Sequence, residues 1–77
     1  MQEITSNYQT HIRRYLERRG AADRFRPRHL EAIIRCNYGT LDGLSTAQFN
    51  RAIRDAMEEH ATMTEADLES IARSYGL

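Results

Sequence analysis

Nowhere along these 77 residues do apolar side chains alternate with a period of two; they recur at three- and four-residue spacing, in stretches separated by glycine, proline or polar turns. A half-buried strand sends successive side chains to opposite faces, whereas a half-buried helix gathers i, i+3, i+4 and i+7 on one face. The spacing therefore predicts helices and no sheet. The expected fold is all-α, a small four-helix domain with helices over about 7–19, 27–38, 46–60 and 65–75. The chain, 1–77, is read as a single helical domain because its length supplies one core only, and residues 1–6 are left open to disorder.

The ends of these helices carry their own signals. Tyr8, Ile12, Tyr15 and Leu16 form the stripe of the first helix, and Gly20 supplies the permissive backbone that stops it. Pro27 suits a first helical turn, where the missing N–H costs no bond, and Leu30, Ile33, Ile34 with Asn37 or Tyr38 make the next stripe up to Gly39. Thr40-Leu41-Asp42-Gly43 is turn chemistry, with Leu41 expected to point inward. Ser45 with Gln48 reads as a capping box, flanked by Leu44 and Phe49 at the positions of a hydrophobic staple. Phe49, Ala52, Ile53, Ala56, Met57 and His60 then give the clearest helical period in the chain. Thr64 with Asp67 repeats the capping pattern, Met63 and Leu68 repeat the staple, and Leu68, Ile71, Ala72 and Tyr75 form the last stripe before Gly76.

Little of the composition points to a chemical site. The one cysteine, Cys36, is expected beside the inner stripe of the second helix as a small apolar residue. His11, His29 and His60 fall on three different helices, with no pair at the spacing that puts two imidazoles on one face; the first two are expected at stripe edges. Asp42 is the only carboxylate between Asn37 and Ser45, too few for a calcium loop, and Gly39 and Gly43 are followed by no Gly-Lys-Ser/Thr phosphate signature. The expectation is a protein that is not an enzyme, with no catalytic residues, no cofactor and no metal. The amino terminus has no basic start and no apolar run of signal-peptide length, and no stretch could span a bilayer, so a cytoplasmic protein without membrane partners is expected.

Charge is the feature with functional content. Residues 1–38 hold eight arginines against four carboxylates, and residues 39–77 hold three against seven, so a net charge of zero conceals a dipole along the sequence. Every basic residue is arginine, which reflects a GC-rich coding bias more readily than selection for chemistry. Arg13 with Glu17 and Arg35 with Glu31 stand at i, i+4 and read as ordinary solvated pairs. Arg14, Arg18, Arg24 and Arg26 have no such partner and are the candidate contacts to a macromolecule, since a guanidinium suits bidentate pairing with carboxylate or phosphate.

Gly43 to Arg51 reads like the turn and start of a DNA-recognition helix, but the connection from Gly39 is longer than that motif uses. Arg51 opposite Asp55 and Arg54 opposite Glu58 would also neutralise such a helix.

The phrases Arg26-Pro27-Arg28-His29-Leu30-Glu31-Ala32, Gly39-Thr40-Leu41-Asp42-Gly43-Leu44-Ser45 and Ala72-Arg73-Ser74-Tyr75-Gly76-Leu77, with Phe49, resemble small uncharacterised all-helical proteins of GC-rich proteobacteria and their phages. The resemblance implies a bacterial or phage origin and transfers no site residues. The expected function is a non-enzymatic interaction with a protein partner, as in a phage or prophage accessory factor acting on a host component. Two alternatives stand beside it: a nucleic-acid-binding regulator using the arginine-rich first half, and a homodimer in which the basic half of one copy meets the acidic half of another.

Overall fold

The structure, a computed structural model, describes residues 8–77. Four helices follow one another: α1 Tyr8–Arg18, α2 Pro27–Tyr38, α3 Thr46–His60 and α4 Glu65–Ser74. Among the described residues no strand is present, and no helix is long and apolar enough to cross a membrane. The expected start of the first helix at Asn7, and the expectation for residues 1–6, lie outside the described residues.

The helix ends form as their sequences dictate. At Ser45 the side chain accepts from the Gln48 N–H at 3.1 Å while the Gln48 side chain accepts from the Ser45 N–H at 2.8 Å. Thr64 and Asp67 make the same reciprocal pair at the start of α4. Each box satisfies two backbone donors that have no partner inside the helix. Gly20 and Gly76, with φ of 67° and 74°, end α1 and α4 in one geometry. In each, the residue after the glycine donates back to a carbonyl five positions earlier, Ala21 to Leu16 and Leu77 to Ala72, both at 2.9 Å. A side chain at either glycine would strain the left-handed backbone that this closure needs.

Packing centres on α2, which lies against α1, α3 and α4, while α1 also meets α3. Phe49, fully buried on α3, sits beneath the first turns of α1, with the rings of Tyr8 and His11 at 5.7 and 5.0 Å. Leu41 is buried as an inward plug between α2 and α3, and Leu44 and Met63 pack on the same core as the staples require.

Three neighbours change what α2 buries. A two-sided helix would hide only a stripe, but residues 29–34 are all buried, including His29 and Glu31. His29 therefore lies in the interior and not at a stripe edge. The Arg35–Glu31 pair, expected on a solvated face, instead encloses a carboxylate that is only 5% exposed, with Arg35 Nε donating to it at 2.9 Å. The last turn of α2 projects past this cover, so Cys36, Asn37 and Tyr38 are exposed, against the expectation of an inward Cys36 and an inner stripe reaching Asn37 or Tyr38. Tyr75 is likewise corrected: α4 ends at Ser74, and this ring, expected inside, is 41% exposed.

Phe49→Ala should lower unfolding free energy by about 3–5 kcal/mol, as truncation of a fully buried ring does, whereas Tyr75→Ala should change it by less than about 1 kcal/mol. Arg35→Ala strands the Glu31 carboxylate and should cost about 1–3 kcal/mol. Urea titrations of the three variants check this ranking.

Candidate functional site

Three groups of polar side chains stand out once the helices are assembled. The first joins α2 to α4. Arg28 donates through Nη1 to Glu69 and through Nη2 to the main-chain oxygen of Leu77 at 2.9 Å, and buried His29 places Nε2 3.4 Å from the same Glu69 oxygen. His60, from the end of α3, stands with its ring 6.5 Å from that of His29 and edge-on to Phe25 at 4.9 Å. Two histidines from different helices thus converge, which their sequence spacing could not reveal. Among the described residues no three His, Cys, Asp or Glu side chains are placed to hold one metal ion.

Electrostatics in this cluster follow from its contacts. The Arg28 hydrogen bond, with a second from His29, outweighs partial burial and holds the Glu69 carboxyl down to about 2, from an ordinary 4.5. Arg28 is raised above its ordinary value chiefly by the same bond. Burial, with His29 close by, lowers His60 below its ordinary 6.5. Every buried polar side-chain atom among the described residues has a partner. The cluster is thereby an internal tie between helices, with its bonding capacity directed inward.

The second group lies between α1 and α3. Tyr15, Arg19, Ala47, Asn50, Arg51 and Arg54 line a shallow groove of about 280 Å³. Arg19 lies across the Tyr15 ring, 4.1 Å from its centre, which holds the guanidinium at the groove wall. The i, i+4 pairs expected to neutralise α3, Arg51 with Asp55 and Arg54 with Glu58, do not close. Among the described residues neither arginine forms an ion pair. Along the same helix, His11 bonds Asn50 at 2.8 Å and also lines a neighbouring depression with Arg14, Glu17 and Arg18.

Of the four sequence candidates, Arg14 and Arg18 therefore share one depression on α1, beside the groove. Arg24 and Arg26 lie in the connection between α1 and α2 and line neither hollow. Arg26 also has an acidic neighbour after all, Glu65 at 3.9 Å, because the start of α4 folds back beside the start of α2. Arg19, Arg51 and Arg54 are the groove residues that sequence reasoning passed over. Their signal was available in part: a helical projection gathers Ala47, Arg51 and Arg54 on the outward side of α3, with Glu58 between the two arginines. Which flank meets α1 is a tertiary fact.

The third group includes the carboxylates of α3. Asn37, Tyr38, Asp55, Glu58, Glu59 and Thr62 line an open groove between α2 and α3, where Asn37 donates to Glu59 at 2.6 Å. The arginines of α3 thus line one groove and its carboxylates another. The arginine groove is lined by three guanidinium groups and by no carboxylate, whereas the depression holding Arg14 and Arg18 includes Glu17, so the groove is the candidate binding site. Comparison with protein-family models, curated proteins and solved structures gave no match, and the functional reading rests on this geometry.

The α2–α4 cluster has a pH signature. His60 titrates lower in the folded chain than its ordinary 6.5, so its neutral form contributes stability that is complete above that value and is lost as pH falls through the lowered one. Glu69, held down to about 2, contributes stability present above its ordinary 4.5 and lost as pH falls towards 2. The urea midpoint should fall in two stages, below pH 6.5 and again below 4.5, and His60→Leu should remove the first stage alone. An unchanged first stage in that variant would contradict the assignment.

Proposed function

We propose that this chain is a non-enzymatic macromolecule-binding domain that takes a carboxylate-rich protein surface in the arginine groove between α1 and α3. The observation that carries the reading is the convergence of Arg19, Arg51 and Arg54 in one groove, with Arg51 and Arg54 free of ion pairs among the described residues. A guanidinium already engaged by a carboxylate has little left to offer a partner. Arg28 and Arg35 are spent in that way, on Glu69 and Glu31. An arginine held on an aromatic wall, as Arg19 is on Tyr15, loses less side-chain freedom on binding than one extended into solvent. Arg14 and Arg18 extend the positive field along the exposed side of α1 and favour encounter with an anionic surface.

Carboxylate is favoured over phosphate by the whole-molecule balance. Net charge is zero, and the acidic flank of α3 lies close to the groove, so a long polyanion such as duplex nucleic acid meets repulsion as it extends beyond the arginines. A local acidic surface does not.

Fluorescence anisotropy with an oligo-glutamate peptide and with an oligonucleotide, both at low ionic strength, tests the proposal. The peptide should bind, binding should weaken with salt, and Arg51→Ala/Arg54→Ala should reduce affinity by about tenfold or more, the equivalent of ~1.4 kcal/mol. Preference for the oligonucleotide would replace the carboxylate reading with a nucleic-acid one. Binding of neither probe would remove the groove as a site.

A further inference from the structure

Resting on the proposal that the arginine groove takes an acidic protein surface, we infer that this surface is the α2–α3 groove of a second copy of the chain, giving head-to-tail self-association. The complement is present in the molecule itself. Asp55, Glu58 and Glu59, on the helix that carries Arg51 and Arg54, line the α2–α3 groove, and among the described residues none of these three carboxylates is in an ion pair. Asp55 and Glu58 stand one helical turn from Arg51 and Arg54, yet neither pair closes, so both sets of charges stay open to a second copy. The arginine groove and the acidic groove are lined by different residues, so the first of one copy can lie against the second of another.

Charge alone makes a poor contact, since exposed ion pairs are weak and screened. The acidic groove supplies more than charge. Tyr38, at its edge, is 45% exposed, one of two large apolar side chains left open on the described surface. Tyrosine combines broad apolar area with few rotatable bonds and stacks well on guanidinium groups, and both tyrosine and arginine are enriched at the energetic centre of protein interfaces. The arginine groove offers the matching surface: guanidinium groups around the small side chain of Ala47.

The contact uses two different patches, so it is heterologous. It propagates into rings or open chains and does not close as a two-fold dimer. That property gives a test which simple stickiness cannot imitate. One variant, Arg51→Ala/Arg54→Ala, loses the groove and keeps the acidic flank; the other, Tyr38→Ser/Glu58→Gln, does the reverse.

Sedimentation velocity of the full chain, across protein concentration at about 20 mM and about 300 mM salt, reads the outcome. Wild type should grow with concentration past the dimer at low salt and dissociate at high salt. Each variant alone should remain monomeric. Mixed in equal amounts, they should form a one-to-one heterodimer and nothing larger, because each supplies the one patch the other lacks. Circular dichroism establishes that both are folded, and Asp55→Asn/Glu58→Gln replaces the second variant should Tyr38→Ser disturb α2.

A wild type that is monomeric at millimolar concentration and low salt overturns the inference. So does assembly that both variants retain, or a mixture that stays monomeric. Should the monomer still bind oligo-glutamate through Arg51 and Arg54, the second-copy inference alone fails; should it bind neither that peptide nor itself, the groove reading fails as well.

Discussion

The enclosure of α2 by three other helices is the constraint from which the rest of this structure follows. A helix covered on three sides buries more than its apolar stripe, and here it takes His29 and Glu31 inside with Leu30 and Ile34. An uncompensated charge in that position would be costly enough to prevent folding in this form. Each buried polar group is answered from another part of the chain or from the next turn. Arg35 covers Glu31 from one turn further along α2, and Glu69, itself held by Arg28, meets His29 from α4. The position of α4 is therefore set by hydrogen-bond satisfaction as well as by Leu68 and Ala72. Arg35 extends the same logic to α1, since its guanidinium also stands 5.5 Å from the Tyr8 ring, whose hydroxyl donates to Asp42.

Two kinds of arginine result from this enclosure. Arg28 and Arg35 are turned inward and consumed by buried or half-buried carboxylates. Arg19, Arg51 and Arg54 remain on the outside, where α1 and α3 leave a groove. The same helix α3 presents carboxylates to its other groove. The dipole visible along the sequence, basic to residue 38 and acidic after it, therefore does not describe the fold, where α3 contributes arginines to one groove and carboxylates to another. Arg51 and Arg54 belong to the acidic half of the sequence yet contribute to the basic side of the fold, which is why counting charge by halves missed them.

Much of the fold was legible for a definite reason. Capping boxes, glycine stops and apolar stripes are local: the groups concerned lie within about five residues of one another, so their chemistry can be judged from adjacent letters. Ser45 with Gln48, Thr64 with Asp67 and the stop at Gly20 formed as read, and Leu41 turned inward. Errors at Cys36, Tyr38 and Tyr75 fell where a stripe outran its cover, because burial at a helix end depends on how far the neighbouring helix reaches, and those at His29 and Glu31 fell where three neighbours buried more than the stripe.

The candidate site was legible only in outline. That arginines without local acidic partners mattered was readable, and Arg14 and Arg18 lie beside the groove. Arg26 has no local acidic partner, but Glu65 of α4 stands 3.9 Å from it, a neighbour that adjacent letters do not show. By itself the sequence determined four helices, their starts and stops and the apolar residues at the centre of each stripe, since hydrogen bonding and apolar periodicity act over a few residues. Only the tertiary structure decided which charges are satisfied and which are left to bind. The pairings that settle it, Tyr8 with Asp42, His11 with Asn50, Arg28 with Glu69, span 34, 39 and 41 residues and exist only once α2 is enclosed.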